Sequence, residues 1–202
     1  MSDSFQTITD GSWVEIKERG SRFRGIAFHC TTEASANERL SEVRKRYYDA
    51  THHCSAWRVG PEAALIERFD DDGEPHGIAG RPILTAIQRE ELCETAVIIV
   101  RYYGGTKLGS GGLSRAYGQA AALALDGATR GTVWHEASLE FECSWDDVGL
   151  IEATLGQLED HIRSCERIFA EIAVFRVTVL ESFQGQLKRT IEEATGNRAR
   201  VK

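Results

Sequence analysis

The chain of 202 residues contains three prolines, one methionine and five cysteines, and each shortage narrows what it can be. So few prolines, beside 42% hydrophobic and 27% charged residues, exclude a chain that is disordered throughout, because it carries enough apolar surface to offset the entropy of ordering. Cys30, Cys54, Cys93, Cys143 and Cys165 are odd in number and form no CxxC pair, which argues for reduced thiols rather than a disulfide framework or a structural zinc cluster. No apolar run approaches the ~18 residues needed to cross a bilayer as a helix. The opening MSDSFQTITDGS also lacks the basic-then-apolar pattern of a secretory signal, so a cytoplasmic protein is expected. Positive charge is scarce too: 24 Lys and Arg stand against 31 Asp and Glu, a net charge of −7. That argues against a protein that coats DNA by bulk electrostatics and leaves room for a local basic patch.

The length suits one or two domains of about 100 to 200 residues each. WVEIK and SRFRGIAFHC, separated near Gly20, read as two strands of a meander. Thr32 is placed to cap a helix from Glu33 to about Asp49, with Ala36, Leu40, Val43 and Tyr47 as its buried stripe. Strands are expected near CSAWRVG and ALIERF, joined by a turn at Gly60 and Pro61, with the second running into the acidic turn Asp70 to Pro75. Pro82 fits the first turn of a helix that runs through Cys93. AVIIVRYY reads as a buried strand, Gly104 to Gly112 as a glycine-rich loop and Leu113 to Asp126 as a helix. Periodicity stops at Gly127, so the reading is a first domain over 1–126, a connector over 127–136 and a second domain over 137–202. The second reads strand, helix, strand, strand, helix, strand, which is the βαββαβ order of ferredoxin-like domains.

The strand, glycine-rich loop and helix around Gly104 to Gly112 form the most informative local feature. Glycines let backbone N–H groups approach an anion, and Arg101, Lys107 and Arg115 add full positive charges beside Gly109, Ser110, Gly111 and Gly112. The same glycines also suit a tight connection that only needs positive φ, and the spacing matches neither the Walker nor the dinucleotide pattern. Asp71, Asp72 and Glu74 could hold magnesium through oxygen ligands, or the run could be a solvated turn. On a strand His52 and Cys54 would share a face and His53 would oppose them, so His53 is poorly placed to activate Cys54. Arg22, Arg24 and the run Arg44 to Arg46 could join the loop cations in a basic face with Phe23, Tyr102 and Tyr103 for stacking, or could be an ordinary solvated surface over a core.

Two longer stretches carry a resemblance. DDGEPHGIAGRP over 71–82 and VRYYGGTKLGSGGLSRAYG over 100–118, with EIK, SRF and HCSAWR upstream, closely resemble the signature of the IMPACT family, whose bacterial members are YigZ-like. The likeness covers about the first 126 residues, and the second domain agrees in type.

The resemblance implies an α+β protein. Its first domain would be similar to the second-domain fold of a small-subunit ribosomal protein, shared with elongation factor G and the GHMP kinases. Its second would resemble the ferredoxin-like domain near the end of elongation factor G. It also implies a non-enzymatic regulator of translation that binds RNA, the ribosome or a translation-associated protein, with no cofactor and no catalytic residues to carry over. The GHMP-kinase relation supplies an alternative, a magnesium-dependent nucleotide-binding enzyme, and a pure protein-interaction module is a third reading. The extra N-terminal partner-binding domain of the eukaryotic protein is not expected here. His76 and Ile78 stand where the family usually has a small residue and threonine, so the acidic turn lacks a hydroxyl.

Overall fold

The computed structural model describes residues 3–60 and 64–202. Its contacts divide the chain into two units, one over residues 5–133 and one over residues 134–202 with Asp3 and Ser4.

The first unit is built on a five-stranded antiparallel sheet in the order β2 (Val14–Glu18), β3 (Ser21–His29), β6 (Thr95–Tyr102), β4 (His52–Val59), β5 (Ile66–Asp70). Helix α1 (Glu33–Arg46) covers one face; α2 (Gly80–Arg89) and α3 (Gly109–Asp126) cover the other. Both faces are buried, so β6 is apolar almost throughout and its alternate residues divide between two cores. Ala96, Ile98 and Val100 pack towards α1, with Leu40, Val43 and Trp57, whereas Val97 and Ile99 pack towards α2 and α3, with Ile83, Ile87 and Tyr117.

Local chemistry explains the helix starts. Thr32 accepts from the Ser35 N–H at 3.1 Å while the Ser35 hydroxyl reaches back to the Thr32 backbone, a reciprocal cap that fixes the first turn of α1. Helix α2 begins at Gly80, which puts Pro82 in the first turn where its missing N–H costs nothing. At Gly25 any side chain would strike α3, with the Ala120 carbonyl oxygen 3.0 Å from the position of a Cβ, so glycine here lets the helix lie against β3.

Three details depart from the sequence reading. The glycine-rich loop is shorter than expected: Gly109 to Gly112 form the first turn of α3. The segment read as a connector contains β7 (Arg130–Trp134), which pairs with β1 (Ser4–Ile8), a strand that the periodicity did not single out. The helix expected to run to Cys93 ends at Arg89, since Glu91 takes a positive φ of 52°. The expected turn at Gly60 and Pro61 falls mainly outside the described residues.

The second unit has the order β8 (Glu136–Cys143), α4 (Val148–Gln157), β9 (Ile162–Phe169), β10 (Ala173–Leu180), α5 (Gln184–Ala194), β11 (Arg200–Val201). Its strands pair antiparallel as β11, β8, β10, β9, and both helices pack on one face over Phe141, Phe175 and Val177. Strict alternation along β8 and β10 produces this: Leu139, Phe141 and Cys143 turn inward while Ser138, Glu140 and Glu142 turn outward.

Candidate functional site

Successive strand residues alternate faces, so Arg101 follows Val97 and Ile99 onto the side of the sheet that α2 and α3 cover. His52, Cys54 and Ala56 share that face on β4, and Ser21 and Phe23 share it on β3, where Phe23 pairs with Arg101 across the ladder. Asp72 and Gly73 both take positive φ, 44° and 86°, and reverse the chain after β5 so that Glu74 returns over this group. Tyr117 closes it from α3.

The result is a buried polar cluster. Arg101 donates through Nη1 to Glu74 Oε1 at 2.5 Å, with the two side chains only 7% and 4% exposed. Tyr117 donates its hydroxyl proton to the same oxygen at 2.9 Å, and the Cys54 thiol lies 3.3 Å from that hydroxyl and 3.1 Å from the Asp71 carbonyl. Burial pushes the Cys54 thiol and the Tyr117 hydroxyl far above their ordinary ranges, so both stay protonated. His52 Nδ1 lies 2.8 Å from the Asp72 carbonyl, which can only accept, so the proton sits on Nδ1 and Nε2 faces Glu74 at 3.7 Å. A thiol held neutral and a carboxylate already paired make this cluster a brace between β3, β4, β6, α3 and the acidic turn, rather than a source of a nucleophile.

The brace continues into the loop. Ser21 Oγ accepts from the Gly104 N–H at 3.1 Å, and Gly104 packs directly on Gly20, where a Cβ would stand 1.9 Å from a backbone carbon. Only glycine fits at that crossing. Beyond it, Gly105 and Gly109 take positive φ (82° and 71°) with nothing near the position of a Cβ.

The expected site residues therefore separate. Arg101, expected on the binding surface, is a correction: its charge is spent on Glu74 inside the molecule, because the strand period turns it under α3. Lys107 and Arg115 are exposed and make no ion pair with a described carboxylate. Gly109, Ser110, Gly111 and Gly112 begin α3, whose flanking Leu108 provides no side-chain cap, so the leading N–H groups have no side-chain acceptor there.

The three acidic-turn carboxylates do not converge. Asp71 accepts from the N–H groups of Gly77, Ala79 and Gly80 at 2.7, 3.0 and 2.8 Å. Burial pushes this carboxyl up, but those three bonds outweigh it and hold the group below the usual carboxylate range. Because the donors are backbone amides, the unusual His76 and Ile78 leave this arrangement intact. Asp72 accepts from Arg44 at 2.6 Å and from the His53 N–H at 2.7 Å, and Glu74 serves Arg101 and Tyr117. Among the described residues no three His, Cys, Asp or Glu side chains are grouped to hold a metal ion, so these carboxylates do not fit the magnesium reading.

Much of the expected basic face is likewise engaged. Arg44 pairs with Asp70 and Asp72, Arg22 lies 5.0 Å over Tyr102, and Tyr102 donates to Asp49 at 2.8 Å. Sequence reasoning missed Ser21 and Tyr117 as partners. The shared face of His52 and Cys54 was legible from period two, but their convergence with Glu74 depends on a turn and a helix distant in sequence.

The family model described as the Impact N-terminal domain matches residues 19–125. IMPACT family member YvyE of Bacillus subtilis (strain 168) is 30% identical over 100% of this chain and 92% of its own length. IMPACT family member YigZ of Escherichia coli (strain K12) is 38% identical over 73% of this chain and 72% of its own. A crystal structure described as that of a hypothetical protein superposes with a TM-score of 0.69 at 28% identity, over 100% of this chain and 97% of that one. The signature read at 71–82 and 100–118 lies inside the matched region, and it supplies Glu74, Arg101 and Tyr117 of the brace and the exposed start of α3: the chain belongs to the IMPACT family.

Proposed function

We propose that this protein is a non-enzymatic, cytoplasmic regulator of translation. It binds RNA, the ribosome or a translation-associated protein through Lys107, the leading N–H groups of α3 at Gly109, Ser110, Gly111 and Gly112, and Arg115. The observation that carries this reading is a contrast in pairing. Of the cations in and around this connection, Arg101 is neutralised inside the brace, while Lys107 and Arg115 stand exposed without an acidic partner among the described residues. Unneutralised cations beside open backbone amides are suited to phosphate or carboxylate oxygens. Family membership supports translation as the functional class, since the resemblance implies a translation regulator. On this reading the first unit takes the ribosomal-protein second-domain fold that the GHMP kinases share, and the βαββαβ order of the second is ferredoxin-like.

The outer sheet face of the second unit is less suited to stacking bases. Glu140, Glu142, Glu166, Arg176 and Lys202 pair with one another across it, and its outward positions on β8 and β10 carry no aromatic ring.

Sedimentation of the purified protein with ribosomes across a salt series tests the proposal. Binding is expected to fall with salt, and Lys107→Ala/Arg115→Ala should weaken it and reduce the salt slope by about 1 to 2. Equal binding by the variant at every salt concentration would remove these residues from the interface.

A further inference from the structure

A second surface lies between α2 and α3. The helices run side by side in close contact, with Pro82 Cβ 3.8 Å from where a Cβ on Gly118 would stand. The groove between them has a volume of about 610 Å³; small Pro82, Ala86, Gly118 and Ala122 and polar Thr85, Ser114 and Gln119 line it, together with Arg81, Arg89 and Arg115. All three arginines are exposed and none makes an ion pair with a described carboxylate. Glu90, the one acid among the described residues that line the groove, is already paired with Arg130 at 2.8 Å. Arg81 and Arg89 are eight residues apart on α2, which separates them by about 12 Å along its axis. A chain of net charge −7 thus keeps three arginines without an ion-pair partner among the described residues along one helical groove.

We propose that this groove docks an acidic amphipathic helix of a protein partner, with small apolar residues on its buried stripe and carboxylates on both flanks. Small residues in the groove let a third helix approach to the ~8 to 10 Å of ordinary helix packing. The guanidinium fork matches carboxylates bidentately, so complementary charge sets the register. RNA fits less well. Among the described residues no aromatic side chain lines the groove to stack a base, and a phosphodiester backbone gains nothing from the apolar part of its walls. The groove shares Arg115 with the surface proposed above, whereas Lys107 does not line it.

Selection from a display library of helical peptides, run against the full chain, tests this. Enriched peptides should carry acids flanking an apolar stripe at i, i+3, i+4 and i+7. Synthetic copies, followed by fluorescence anisotropy, should lose about tenfold or more in affinity against Arg81→Gln/Arg89→Gln. Ala122→Phe, which fills the groove from an exposed position, should do the same. Arg176→Ala, in the second unit, should leave peptide affinity unchanged, and thermal midpoints should show that all variants fold. No enrichment, enriched peptides without acids, or equal binding to both groove variants would overturn the proposal. Loss of oligouridylate binding in Arg81→Gln/Arg89→Gln, with no acidic helix selected, would reassign the groove to RNA.

Discussion

The Arg101 brace of the first unit and the open sheet face of the second use charge in opposite ways. In the first region, Arg101 and Glu74 are paired almost completely out of water, and nearby Lys107 and Arg115 have no ion-pair partner among the described residues. In the second, Glu140, Glu166, Arg176 and Lys202 pair on an open sheet face, and the helix-covered face is built from residues such as Phe141, Phe175 and Val177. A buried pair contributes position: both ions forfeit hydration, so each holds the other and the segments that carry them. Exposed pairs compete with water and salt and hold little in place. The Arg101 brace therefore uses charge to hold a loop, whereas the pairs on the open sheet face hold little in place.

The sharpest way to break this contrast is to remove one member of the buried pair. Arg101→Met should destabilise the first unit by about 3 to 5 kcal/mol, because Glu74 is left buried without its counter-ion. Arg101→Met/Glu74→Leu should recover much of that loss, and urea unfolding of the two single variants and the double variant checks both. A comparable loss in the double variant would mean that the brace acts through shape rather than charge.

A somewhat smaller effect is expected at Gly104→Ala, where the added methyl collides with the backbone of Gly20. Overpacking costs about 1 to 3 kcal/mol when neighbours can shift, and here the neighbour is main chain, so the upper end applies. Hydrogen exchange should show the loss concentrated in the turn between β2 and β3 and in the Gly104 loop. Gly105→Ala meets no atom, and its cost should be limited to the strain of its positive φ.

Acid separates the regions next. Asp71 has a lowered native pKa, so its stabilisation is complete above its unfolded value of about 3.9 and fades as pH falls below that through the native value. Asp71→Asn should flatten the acid limb of the stability curve below about pH 4, with little change in its slope near neutrality. An unchanged acid limb would show that the three amide bonds do not favour the charged form.

The smallest effect is expected in the second unit, where Arg176→Ala should leave the unfolding midpoint unresolved from that of the parent protein. A clear drop would show that the outward network positions the sheet as the buried pair positions the loop.

Several elements were legible because their signals are local. Thr32 and the stripe of Ala36, Leu40 and Val43 mark α1, and alternation along 137–143 and 173–179 marks β8 and β10. The start of α3 was misplaced because glycine runs carry no helical periodicity, although Gly109 to Gly112 are helical. β1 and β7 were missed because each is short and depends on a partner over 120 residues away.

The sequence by itself determined the α+β class, the order of the main elements and the IMPACT signature, since these rest on periods, caps and motifs within a few turns of chain. Only the tertiary structure decided which charges are available. Arg101 and Arg115 look alike in sequence, yet strand alternation and a reversed turn bring Glu74 to the first from 27 positions away, while the second stands on the exposed side of α3. A side chain's charge is local information, but its partner is set by the packing of the whole unit.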